Sequence, residues 1–167
     1  MEPLVDTVIE DARWAALGLD SLAERAARAA LADLGLQAEG FSLCVMGCDD
    51  ARIAVLNADF RGKPRPTNVL SWPSDERAAE FVGESPELPA PGPADDPLHL
   101  GDIAIAYETC EREAAEQKKV LSDHVTHLLV HGLLHLLGYD HIEDADAALM
   151  EGIETRTLAT LGIADPY

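Results

Sequence analysis

The chain has little positive charge: 12 lysines and arginines stand against 31 aspartates and glutamates in 167 residues, a formal charge of −19. So acidic a body exerts no general attraction on nucleic acid or anionic membrane, and a polyanionic substrate would need a local basic cluster or a bound metal. Cysteine is sparse too. Cys44, Cys48 and Cys110 are too few, and of the wrong parity, for a disulfide framework. Cys44 and Cys48 stand four apart, but on a predicted strand and turn with no second pair, which argues against a structural metal site. No run of 18 apolar residues occurs, because histidines interrupt the richest one, so no membrane span is expected. The opening Met-Glu-Pro-Leu-Val-Asp lacks the basic segment of a secretory signal. These absences lead to the expectation of a cytoplasmic protein in a reducing setting. The length fits one domain over residues 1–167.

What the chain does have is histidine in one place. His131, His135 and His141 follow one another with gaps of three and five residues. On a helix the first two lie one turn apart on one face, with Cβ atoms about 5–6 Å apart. That separation lets two imidazoles share a metal at about 2.0–2.1 Å per bond. Gly138 can end the helix in a left-handed cap, so that the chain folds back and His141 supplies a third ligand. A buried helix that merely carries histidines is the plainer alternative, but three of them around a glycine turn favour a metal site.

The remaining pattern is mixed. Residues 4–9 suggest an edge strand, and Ser21 with Glu24 suggests a capping box opening a helix that stops at Gly35. A strand is expected over 41–46, then a helix capped by Asp49 or Asp50 with Ile53, Leu56 and Phe60 on one stripe. Strands are expected at 69–72 and 102–107, paired antiparallel because no convincing crossover helix joins them. Between them lies an acidic loop with Pro86, Pro89, Pro91, Pro93 and Pro97, most concentrated over 83–99, and one short helical turn near 76–81. Residues 108–137 read as helical throughout. A single helix of that length would measure about 45 Å, too long for a domain with a radius of gyration of about 15 Å. A break near 120–123 is therefore expected, leaving a central helix over 121–137, and a last helix covers 144–161. The fold class is α+β: a small mixed sheet of about four strands with five or six helices.

Residues 131–141 match the histidines and glycine of the metzincin protease signature, but Gly132 stands where a protease carries its glutamate base. Losing that group removes an acid–base contribution of about 10²–10⁴-fold. Glycine also costs a helix interior about 1 kcal/mol relative to alanine, and open space for a bulky substrate is the expected gain. Three ligands leave a coordination position for water or a phosphoryl oxygen. Arg61-Gly-Lys-Pro-Arg is the densest basic cluster, so Arg61 is the candidate phosphate-binding group, with Lys63 and Arg65 behind it.

Four blocks carry a family resemblance: Leu-Asn-Ala-Asp-Phe-Arg at 56–61, Pro-Thr-Asn-Val-Leu-Ser-Trp-Pro at 66–73, Leu-Gly-Asp-Ile-Ala-Ile at 100–105, and 127–141. Together they resemble the YbeY family of bacterial metal-dependent endoribonucleases. The resemblance implies an α+β domain with a small sheet beside the metal-bearing helix, and zinc held by His131, His135 and His141. It also implies an arginine needed for activity at Arg61. RNA is the implied partner, ribosomal RNA presented on the ribosome or by a ribosomal protein, in rRNA maturation and ribosome quality control. Asn68 and Trp72 depart from the family's usual aspartate and phenylalanine, and the Pro-rich stretch 83–98 is longer than its usual connection.

Further candidates keep two interpretations each. His127 either lines the cleft or packs; Asp102 caps a strand or orients a metal ligand; Asp140 does the latter or stabilises its turn. His124 is expected at the surface or behind the ligands, His99 in solvent, and Tyr139 in packing. Two rival functions stand beside the nuclease: a metalloprotease-like hydrolase, and a non-catalytic ribosome-assembly factor with a structural metal.

Overall fold

Four strands make one sheet in the order β1-β2-β4-β3 in a computed structural model that describes residues 3–167. They are β1 (Val5–Ile9), β2 (Phe41–Cys48), β3 (Val69–Pro73) and β4 (Leu98–Ala106). β1 and β4 run parallel to β2, while β3 runs antiparallel to β4 with Val69 opposite Ile105 and Trp72 opposite Asp102. The expected antiparallel pairing is present, and β1 and β3 are the edges.

Alternation along the strands separates two faces. Leu43, Val45, Ile103 and Ile105 point to the main core, where helix α5 (Leu121–Leu136) brings Val125, Leu129 and Leu133. α2 (Leu19–Asp33) and α6 (Asp144–Thr160) pack on the same core through Ala23, Ala27, Ala30, Met150 and Leu158. The opposite face carries Leu70, Ala104 and Ala106 against Ile53 of α3 (Asp50–Arg61). α4 (Tyr107–Glu116) follows β4 directly. The main-core helices bury α5 almost all round, as its sequence demands.

Several local expectations give way. An unforeseen helix, α1 (Ala12–Leu17), precedes α2, capped by the Asp11 side chain on the Arg13 amide. Gly18, with φ 83°, ends α1 and opens α2, so Ser21 is already inside the helix and forms no capping box. Glu24 instead accepts the backbone N–H groups of Leu4 and Val5, each at 3.0 Å, and anchors the edge strand. The break in the long helical stretch falls at 117–120, earlier than expected, where Lys118 takes a positive φ of 56°. No helical turn forms at 76–81. Arg77 crosses that stretch and donates to the carbonyls of Leu100 (3.1 Å) and Leu136 (2.9 Å), which binds the loop to β4 and to the end of α5. Residues 74–97 contain neither helix nor strand, because β4 starts already at Leu98.

Candidate metal centre

α5 ends as its glycine requires. Gly138 adopts φ 104°, and a Cβ there would lie 2.2 Å from the carbonyl oxygen of Arg77. The Tyr139 amide donates back to Leu134 O at 3.0 Å, a six-to-one closure that turns the chain across the helix end. This return brings His141 beside His131 and His135, with ring centroids 5.2 and 5.1 Å away. One nitrogen from each of the three lies within 4.8 Å of the others.

The hydrogen bonds behind the rings decide what the nitrogens in front can do. His135 Nδ1 lies 2.9 Å from the Tyr139 carbonyl, which only accepts, so Nδ1 carries the proton. His131 Nδ1 meets the Glu154 carboxylate at 3.3 Å. With Nδ1 engaged in both rings, Nε2 is the nitrogen that faces inward, and these two atoms are 3.0 Å apart. Two nitrogens at that distance need a shared proton or a metal ion between them. Burial, then the neighbouring His131 and His141, pushes His135 down to about 4, so it stays neutral and able to ligate at ordinary pH. A set of three imidazole donors suits zinc and leaves a position open.

Glu154 is the residue that sequence reasoning missed. It lies on α6 and is fully buried. Besides His131, it accepts from His127 Nε2 at 2.7 Å and from the Tyr167 hydroxyl at 2.9 Å. Burial alone would raise its carboxyl pKa, but the bonds from His127 and His131 outweigh this and hold it down to about 2. The sign was there to see: Met150, Ile153, Thr157 and Leu158 form a buried helical stripe, and Glu154 sits inside it. Carboxylates behind metal-bound histidines typically contribute 10–100-fold in affinity. Glu154→Gln, which keeps the shape and removes the charge, should weaken zinc binding by about 10–100-fold in a competition titration with a chelating dye.

The carboxylates expected in that role are elsewhere. Asp102, next to the core-facing Ile103, points to the opposite sheet face, is 57% exposed and pairs with His99 Nε2 at 3.2 Å. Asp140 lines the cleft but accepts from the Ile142 amide at 3.2 Å, the bond of a turn. His127 packs edge-on to His131 and is turned to Glu154. His124 is not at the surface: it is buried and meets Glu113 at 2.9 Å. Asn68 donates to the same Glu113 at 3.1 Å and lines the cleft, so its amide serves where an aspartate would face another carboxylate. His99 is exposed, with Ser42 and Asp102 as its partners, and Tyr139 is packed in the core.

Gly132 does not open space. It is buried, and a Cβ there would stand 3.1 Å from Ile103 Cδ1 and 3.2 Å from Ser71 Oγ. Glycine lets α5 approach the sheet closely at this point. Gly132→Glu should therefore destabilise the fold by about 3 kcal/mol or more in denaturant unfolding, since it overpacks the interface and buries a charge.

The cleft in front of the histidines has a volume of about 750 Å³, within the range of ligand sites. Arg61, the last residue of α3, lines it together with His131, His135 and His141. Gly62 (φ 69°) closes α3 immediately after it. Its guanidinium has no hydrogen bond or ion pair among the described residues. Lys63 and Arg65 are exposed on the following turn, outside the cleft lining. Three metal-type donors and one free guanidinium thus share a cavity in a chain with 31 acidic residues.

The family model described as Endoribonuclease YbeY matches residues 8–162. A protein of Cereibacter sphaeroides named Endoribonuclease YbeY is 68% identical over 167 residues, covering 100% of both chains. One of the same name from Dinoroseobacter shibae is 57% identical over 165 residues, 98% of this chain and 90% of the relative. The solution structure of TM1509 from Thermotoga maritima shares the fold, with a TM-score of 0.59 and 23% identity over 92% of this chain and 86% of that one. With the match running through nearly the whole length, the chain belongs to the YbeY family.

Proposed function

We propose that this chain is a zinc-dependent endoribonuclease that cuts unpaired RNA during ribosomal RNA maturation and ribosome quality control in the cytoplasm. One observation carries the proposal: the histidine triad and the free guanidinium of Arg61 open on the same cleft of an otherwise acidic protein. The relatives' shared name supports RNA as the substrate.

His131, His135 and His141 would hold one zinc, with Glu154 and the Tyr139 carbonyl fixing which ring nitrogens face it. When bound, zinc supplies Lewis acidity toward a phosphoryl oxygen and makes a bound water more acidic. Arg61 orients the scissile phosphate and offsets the charge that develops on its oxygens. Lys63 and Arg65, on the turn outside, meet neighbouring phosphates. Asn68 and Asp140 form the polar walls of the cleft. The acidic remainder repels free RNA, which favours a substrate presented by the ribosome or by a basic ribosomal protein.

A metalloprotease is disfavoured by Gly132, whose tight packing leaves no room for the missing carboxylate. The deciding experiment incubates the metal-loaded chain with single-stranded RNA, duplex RNA and ribosomal RNA. Cleavage of unpaired strands, stopped by a chelator and restored by zinc, is expected; intact RNA in every case would refute the proposal.

A further inference from the structure

We propose that Phe60, backed by Trp72, is a stacking platform that holds one unpaired base of the RNA next to the phosphate bound by Arg61. The inference rests on the nuclease assignment above and adds how the strand is gripped.

Aromatic side chains are few here, 5% of the chain. Trp14, Phe41 and Tyr139 are buried. Phe60, Phe81 and Tyr167 are the exposed ones among the described residues, and of these only Phe60 lines the cleft of the histidine triad. It is 50% exposed although it lies in the last turn of a well-formed helix. Its ring rests against Trp72, with centroids 5.3 Å apart and planes at 52°, so contact with Trp72 backs the ring while half its surface stays open. A ring already held in place loses little freedom when a base lands on it. Arg61 follows directly in the chain, so base and phosphate contacts come from consecutive residues.

Charge explains why such a contact is needed. With a net charge of −19, the protein cannot hold RNA by broad phosphate attraction. Stacking is neutral, is indifferent to sequence because every base has a π-face, and requires a base freed from its neighbours in a duplex. The platform therefore supplies affinity and a preference for unpaired strands together.

The test uses the full-length zinc-loaded chain and a single-stranded 2′-O-methyl oligonucleotide, which resists cleavage, with affinity read by fluorescence anisotropy. Abasic nucleotides are placed at each position in turn. One position should lose about 5- to 100-fold in affinity. Phe60→Ala should lose a similar factor on the intact strand and nothing more on the strand abasic at that position. Phe60→Trp should keep the affinity, whereas Phe60→Leu, which still covers Trp72 and protects folding, should not. On cleavable RNA the Leu variant should raise KM more than it lowers kcat. A flat abasic scan, or losses from Phe60→Leu and the abasic site that simply add, would overturn the platform. If the wild type cleaves RNA in the same preparation while the scan is flat, only the platform falls; if it neither binds nor cleaves RNA, the nuclease assignment falls with it.

Discussion

His135→Ala should leave the chain folded, remove its zinc and reduce RNA cleavage to the level of the metal-stripped protein. His135 is firmly held: its Nε2 stands 3.0 Å from that of His131, its other nitrogen is locked on Tyr139 O, and burial keeps it neutral. Two histidines that remain, one of them exposed on the returning turn, cannot close a three-ligand site. The helix should survive, because alanine is the best helix former and Leu133, Leu134 and Leu136 keep their burial. Elemental analysis, circular dichroism and an RNA cleavage assay on one preparation check the three parts together. Loss of zinc with cleavage retained would separate the metal from the chemistry.

Arg61→Ala should lower kcat by about 10²–10³-fold, the usual cost of removing one preorganised group that stabilises developing charge. Its stability and zinc content should not change measurably. The guanidinium makes no internal bond among the described residues, and exposed side chains of that kind alter stability by about 0.5 kcal/mol or less. Arg61→Lys should restore only part of the rate, since a lysine offers a point charge where arginine offers a planar fork. Single-turnover cleavage at saturating enzyme measures the effect without interference from product release. This variant also separates the nuclease from an assembly factor with a structural metal, because such a factor has no cleavage to lose and should be indifferent to Arg61.

The legible parts of the molecule were those written in local spacing. His131, His135, Gly138 and His141 lie within one helix turn and one reversal, so the distances among them follow from helix geometry and one left-handed residue. The antiparallel pair β3–β4 followed from the nature of its connection in the same way. Contacts that depend on the third dimension were not legible. Glu154 is 23 residues from His131 and reaches it only because α6 packs beside α5. Asp102 was attractive in sequence, yet one step along a strand turns a side chain to the other face. Glu24 looked like a capping partner, and its actual targets, the amides of Leu4 and Val5, precede it by about one strand and one helix. Gly132 shows the same limit: a missing side chain reads equally as empty space or as close approach, and only the positions of Ile103 and Ser71 decide for approach.

If the three histidines hold the metal that acts on RNA, cleavage should follow zinc occupancy in a stoichiometric titration. Chain stripped of metal is given zinc in rising equivalents, and the initial rate of single-stranded RNA cleavage is recorded at each step. The rate should climb in proportion and level off at one equivalent per chain. A rate that is independent of zinc, or absent when the site is saturated, would rule out a histidine-bound metal as the agent of cleavage.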